Sequence, residues 1–209
     1  MKPGFTLLYI DDALLVVCKP AGLLAVPGRG PAGADNLVTR VQQAHPEACT
    51  VHRLDMGTSG LMLLARGPDM QRALNRSFEQ RAVHKRYEAV VHGLVAEDTG
   101  SIDVPLMADW PRRPRQKVDW ATGKPSLTRW QVLDRDAAAH RTRLRLEPVT
   151  GRTHQLRVHL LSIGHTIVGD DLYGTDATPT TRLLLHACEL RFVHPANGSD
   201  CSFNSVAPF

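Results

Sequence analysis

His52-Arg53-Leu54-Asp55-Met56-Gly57-Thr58-Ser59-Gly60, followed at once by Leu61-Met62-Leu63-Leu64-Ala65, is the stretch that decides how this chain is read. The apolar run 61–65 is unbroken, too short for a helix, and bounded by Gly60 and by Arg66-Gly67-Pro68. It predicts a central strand buried on both faces. Residues 51–54 predict a second strand, which puts Asp55 where a strand meets a Gly-rich turn. A carboxylate so placed is held by a rigid element yet open to substrate. By residue type alone such an aspartate is more often a turn former, and composition and spacing do not overturn that reading. An acidic nucleophile needs, in addition, a cation that keeps it ionised.

Working outward, residues 7–10 and 14–18 form short apolar runs across Asp11-Asp12 and predict a hairpin, stopped by Lys19-Pro20-Ala21-Gly22. Asp35 is expected to cap a short helix through Ala44, with Leu37, Val38 and Val41 buried. Gly67-Pro68-Asp69 opens a helix on which Met70, Leu74 and Phe78 recur at four-residue spacing. Residues 87–91 predict a strand ended by Gly93. Along 141–146, Arg141, Arg143 and Arg145 alternate with Thr142, Leu144 and Leu146, the pattern of a half-buried strand. A helix is expected from about Thr153 to Ile163, stopped by Gly164, with Leu156, Leu160 and Ile163 on its apolar face. His154 and Arg157 would share another face. Residues 183–185 and 190–193 predict closing strands. Strands thus alternate with few helices, without the regular strand-helix repeat of a doubly wound sheet. The expected class is α+β, with a mixed, largely antiparallel central sheet flanked by helices and loops. No linker or internal repeat divides the chain, so residues 1–209 are expected to be a single domain.

At 209 residues, 43% hydrophobic and 22% charged, the composition excludes disorder and fibrous repeats. Lys and Arg number 25 against 21 Asp and Glu. The excess gathers at Arg112, Arg113, Arg115 and Lys117, between Trp110 and Trp120. Such a segment offers cations for phosphates and aromatic faces for bases, or is a solvated basic loop. Four cysteines without a CxxC pair are expected to be reduced thiols, which points to the cytoplasm. Met1-Lys2-Pro3-Gly4 runs into Asp11-Asp12 too early for a signal peptide, and no run approaches the roughly 20 apolar residues of a membrane span. His154 and His159 are five residues apart with no Cys or carboxylate partner, which favours hydrogen bonding over metal ligation.

Taken with three further motifs, His52-Arg53-Leu54-Asp55 and Thr58-Ser59-Gly60 resemble the catalytic segment of the RluA-type pseudouridine synthases. The others are Lys85-Arg86-Tyr87; Gly151-Arg152-Thr153-His154-Gln155-Leu156-Arg157-Val158-His159; and Gly164-His165-Thr166-Ile167-Val168-Gly169-Asp170 ahead of Tyr173-Gly174. They occur in that family's order and span most of the chain from Asp12 to Pro195. Thr166 stands where the family usually has proline. The resemblance implies a pseudouridine synthase catalytic fold, with Asp55 attacking the target nucleotide at the ribose C1′ or the ring, or promoting a glycal. It implies Tyr87 against the target base, Arg157 paired with the catalytic aspartate, and Arg53 in the place of the extruded base. Arg152, ahead of a helix, would meet a phosphate.

Many relatives carry an amino-terminal S4-type RNA-binding domain, which this sequence is expected to lack. Within the family, Val26-Pro27-Gly28-Arg29, the segment 109–117 and Thr122-Gly123-Lys124-Pro125 are similar to the branch that modifies both a 23S ribosomal RNA helix and the anticodon stem-loop of tRNAs. RNA is therefore the expected partner. No cofactor or metal is implied, because isomerisation needs no redox carrier or energy source; no membrane or protein partner is implied, and a monomer is expected. Two rivals remain open: an N-glycosidase that releases uracil, and an RNA-binding module without catalysis.

Overall fold

The structure is a computed structural model that describes residues 4–174 and 182–209, so Met1, Lys2 and Pro3 lie outside the described residues. In chain order, β1 (Thr6–Ile10), β2 (Leu14–Lys19), α1 (Leu37–Gln42), β3 (Ala48–Thr50), β4 (Ser59–Arg66) and α2 (Pro68–Glu79) come first. Then follow β5 (His84–His92), β6 (Thr99–Asp103), β7 (Leu106–Ala108), β8 (Gln116–Val118), β9 (Leu127–Asp136), β10 (Arg141–Pro148) and α3 (Gln155–Ser162). β11 (Leu185–Val193) and β12 (Asp200–Asn204) close the chain. The described parts of Met1–Lys85 and His186–Pro208 form one compact unit, and those of Arg86–Leu185 with Phe209 form another.

In the first unit β4 is the central strand, as the apolar run 61–65 predicts; all five of those residues are fully buried. β2 pairs antiparallel along one edge of β4. β3 pairs antiparallel with its last residues, and β11 runs parallel to its first. The β1–β2 hairpin forms as expected, and β12 pairs with β11. The parallel start is unusually close: a Cβ on Gly60, whose φ is +115°, would lie 2.3 Å from the Ala187 carbonyl oxygen. Only glycine fits there. α2 begins with Pro68 after Gly67 and buries Leu74 against the β4 core, with Met70 and Phe78 packed beside it.

Two local expectations change in this unit. α1 is capped by Asn36, whose Oδ1 accepts the Thr39 N–H at 2.9 Å, while the Asp35 carboxylate pairs instead with Arg40. Residues 51–54 are not a strand; the ladder partner of β4 is β3, three residues upstream, and 51–55 run on without regular structure.

The second unit carries an antiparallel array in the order β5-β10-β9-β6, with β7–β8 as a separate ribbon. On β10 the predicted alternation holds, with Thr142, Leu144 and Leu146 buried. Its core joins Ala89 and Val91 of β5, Leu144 and Leu146 of β10, and Leu156 and Leu160 of α3. α3 is shorter than expected. It starts after His154, which has a left-handed φ of 53°, so His154 and Arg157 do not share a helical face. Residues 155–160 are buried on every side, whereas Ile163 is exposed. The closing strands merge into the one strand β11. With β11 parallel to the start of β4 among antiparallel ladders, and three α-helices among the described residues, the architecture is α+β. Among those residues no helix is long and apolar enough to cross a membrane.

Candidate active site

Asp55 sits half-buried on the loop between β3 and β4, and three sets of contacts hold that loop. First, the Asp55 carbonyl accepts the Thr58 N–H at 3.1 Å and closes a turn beneath the carboxylate. Second, the Met56 carbonyl accepts from Lys19 Nζ at 3.0 Å and from the Gly22 N–H at 2.9 Å. Lys19 is completely buried and also donates to the carbonyls of Pro20 (2.9 Å) and Leu23 (2.7 Å). A buried ammonium requires such partners, and in meeting them it ties the turn after β2 to the loop. Third, buried Ser59 bonds its hydroxyl to His186 Nδ1 at 2.7 Å, and His186 Nε2 lies 3.0 Å from the Ser205 hydroxyl. Arg53 is exposed on the same loop.

His52 anchors the loop's start. Its Nε2 accepts the Leu63 N–H at 2.9 Å, and its ring stacks on Phe78 with centroids 4.7 Å apart. Leu63 falls between the part of β4 paired with β3 and the part paired with β11, so the imidazole takes a backbone donor that no strand takes. Burial first, then the charge of Lys85, hold the His52 pKa down at about 3, which keeps the ring neutral and able to accept.

In the second unit Tyr87 lies on β5 opposite Leu146 and packs against the apolar cluster. Arg157 on α3 is buried and clamped by two carboxylates. Its Nε donates to Asp170 Oδ2 at 2.8 Å, and one Nη donates to Asp170 Oδ1 at 2.6 Å and to Asp171 Oδ1 at 3.0 Å. Asp170 Oδ1 also accepts the N–H groups of Leu172 and Tyr173. The bidentate geometry fixes the guanidinium plane. Sequence reasoning did not assign Asp170, although it closes the motif quoted above; the signal is the need of a buried arginine for a counter-charge. The Tyr173 ring lies 5.1 Å from the Arg157 guanidinium carbon, and its hydroxyl bonds His154 Nδ1 at 2.8 Å. His159, fully buried, lies within hydrogen-bond distance of Ser126 and Thr128, and burial lowers its pKa to about 4. Both histidines therefore have hydrogen-bonding roles.

The basic segment is exposed, Trp110 at 60% and Trp120 at 75%. Arg113 stacks 3.7 Å over Trp110, Arg112 pairs with Asp109, Lys117 pairs with Asp119, and Arg115 faces Tyr173. Arg152 is exposed, with Nε 3.3 Å from the Pro125 carbonyl. Arg143 of β10 is committed to Glu88 and to the Phe209 carbonyl.

Comparison with known proteins assigns the chain to a class of RNA-modifying isomerase. Residues 13–162 match the RNA pseudouridylate synthase family. The dual-specificity RNA pseudouridine synthase RluA of Escherichia coli K12 is 45% identical over the whole chain and 95% of its own length. That of Yersinia pestis is 48% identical over 97% of this chain and 98% of its length. The Vibrio vulnificus protein of the same name is 50% identical over 92% of this chain and 79% of its length. Among solved structures, human RNA pseudouridylate synthase domain containing 1 superposes over the whole chain and 86% of its own, with TM-score 0.82 and 28% identity. Human RNA pseudouridylate synthase domain containing 4 shares the fold, with TM-score 0.75 and 24% identity over 97% of this chain and 88% of its own. The chain belongs to the RNA pseudouridine synthase family and is an enzyme of that class, acting on RNA.

Two measurements test these supports. Asp170→Ala removes the buried carboxylate that meets Arg157 through two hydrogen bonds and is expected to lose about 3–5 kcal/mol of stability in urea unfolding. Asp171→Ala, at an exposed carboxylate, is expected to lose less than about 1 kcal/mol; equal losses would contradict the clamp. For His52 the unfolded ring titrates near 6.5 and the folded ring near 3. Its contribution is therefore complete above the ordinary imidazole value and is lost as pH falls toward 3. His52→Gln, which keeps an acceptor that does not titrate there, should flatten the fall in unfolding free energy below pH 6.5. Parallel curves for variant and wild type would count against it.

Proposed function

We propose that this enzyme converts specific uridines of 23S ribosomal RNA and of a tRNA anticodon stem-loop to pseudouridine, with Asp55 as the nucleophile. The observation that carries the assignment is the anchoring of the Asp55 loop by buried Lys19, by the Asp55–Thr58 turn and by Ser59. A carboxylate must be held within a fraction of an ångström of its target to act as a nucleophile. The choice of the two RNA classes draws on the dual-specificity relatives.

The reaction breaks the N1–C1′ bond of uridine and forms a C5–C1′ bond. C5 loses its proton to solvent and N1 gains one, so atoms balance without an added reagent. Asp55 attacks the target or promotes loss of its base. Arg157, its plane fixed by Asp170, is the cation that serves the ionised nucleophile. Tyr87 stacks on the base and accepts the C5 proton late in the reaction. The uridine must first leave its stack, at a cost of a few kcal/mol that a loop reduces. Arg53 fills the vacated place, while Arg112, Arg113, Arg115, Lys117 and Arg152 contact phosphates and neighbouring bases. The chain acts as a monomer in the cytoplasm, as one catalytic domain, and without a cofactor.

Incubation of tRNA and 23S ribosomal RNA transcripts with the enzyme, followed by carbodiimide treatment and primer extension, checks the assignment. One new stop in each RNA class is expected. A stop in only one class would restrict the substrate. No stop on RNA that the protein binds would favour a binding module, and release of free uracil would favour an N-glycosidase.

A further inference from the structure

Within the second unit, Asp109, Arg115, Val118, Val158, Leu161, Ser162 and Tyr173 line a cavity of about 280 Å³, to which the reaction above assigns no particular nucleotide. Its apolar wall comes from Val118 of β8 and from Val158 and Leu161 of α3. Its floor is rigid, because the Tyr173 hydroxyl accepts the Gln116 N–H at 2.7 Å and lies 2.8 Å from His154 Nδ1. The cations around it differ in one respect. Arg112 is paired with Asp109 and Lys117 with Asp119. The Arg115 guanidinium, half-buried and 5.6 Å from the Tyr173 ring centre, has no carboxylate or carbonyl partner among the described residues.

A partly desolvated guanidinium with uncommitted donors matches the geometry of a phosphate. An apolar wall beside it matches the face of a planar base. The volume lies at the small end of ligand sites, about 300 Å³ upward, which suits one nucleotide and not a longer segment. We propose that this cavity is a second nucleotide subsite. It takes one RNA nucleotide other than the target uridine, with the phosphate on Arg115 and the base against Val118, Val158 and Leu161; this rests on RNA being the substrate. Tyr173 also touches Arg157, so an occupant would share its floor with the residue assigned to serve the nucleophile.

The test uses methyl-labelled enzyme and adenosine 5′-monophosphate as the probe, with inorganic phosphate for comparison. The nucleotide is expected to shift the Val118, Val158 and Leu161 methyl resonances, and phosphate alone to leave them in place. Ser162→Trp, at the exposed rim, should abolish those shifts and raise KM for pseudouridine formation about tenfold, with kcat within about twofold. Arg115→Ala should weaken binding of the nucleotide about tenfold while leaving adenosine binding unchanged. Methyl resonances that do not move, or an unaltered KM in Ser162→Trp, would overturn the subsite. The binding arm needs no turnover, so the two readings fail separately. Pseudouridine formed without a methyl shift removes the subsite alone; methyl shifts without pseudouridine remove the isomerisation of these RNAs and keep the subsite.

Discussion

The ammonium of Lys19 is closed off from water and meets the carbonyls of Pro20, Leu23 and Met56. Burying such a charge costs several kcal/mol even after relaxation. Hydrogen bonds to a charged group return about 1.5–3 kcal/mol each, so each of the three carbonyls offsets part of that cost. The turn after β2 and the loop bearing Asp55 therefore move as one piece. Behind them, the close approach of Gly60 to Ala187 brings β11 against the start of β4, where His186 reaches Ser59. The site in the first unit is thus a consequence of how that unit closes its core.

α3 solves the same problem differently. A helical stretch buried on all sides normally carries apolar residues, yet residues 155–160 include Gln155, Arg157 and His159. Each is satisfied: Gln155 by Thr150, Thr128 and the Leu127 carbonyl, Arg157 by Asp170 and Asp171, and His159 by Ser126 and Thr128. Buried polar groups with complete partner sets hold one geometry, because any alternative strands a donor or a charge. That rigidity is what an arginine assigned to a reacting centre needs.

Much of the fold was legible because local pattern and tertiary outcome agree. The run 61–65, the Gly67-Pro68 helix start and the alternation of 141–146 each encode burial directly. β9, the longest strand, was missed, since Arg129, Asp134, Arg135 and Asp136 give it little apolar periodicity. It is a strand because β10 and β6 flank it, which is non-local information. The shift of the α1 cap from Asp35 to Asn36 turned on Arg40, a competitor for the carboxylate. Residues 51–54 looked like a strand, but the His52 side chain took the backbone donor that strand pairing would have used. The motif residues were legible through resemblance, and their supports were not. Met56 lies 37 residues from Lys19, and His186 lies 127 residues from Ser59. No spacing rule connects such pairs, and only the folded chain brings them together.

Asp55 as the nucleophile is the central claim, and the fate of the uracil C5 hydrogen tests it most directly. Isomerisation must expel that hydrogen, so RNA carrying tritium at C5 of uridine reports each turnover as tritiated water. The wild-type enzyme should release tritium in step with pseudouridine formed. Asp55→Asn, with circular dichroism and RNA binding unchanged, should fall at least about a thousandfold, since the carboxylate nucleophile is gone. Release by Asp55→Asn within tenfold of wild type would contradict the assignment and return the nucleophile's role to another group.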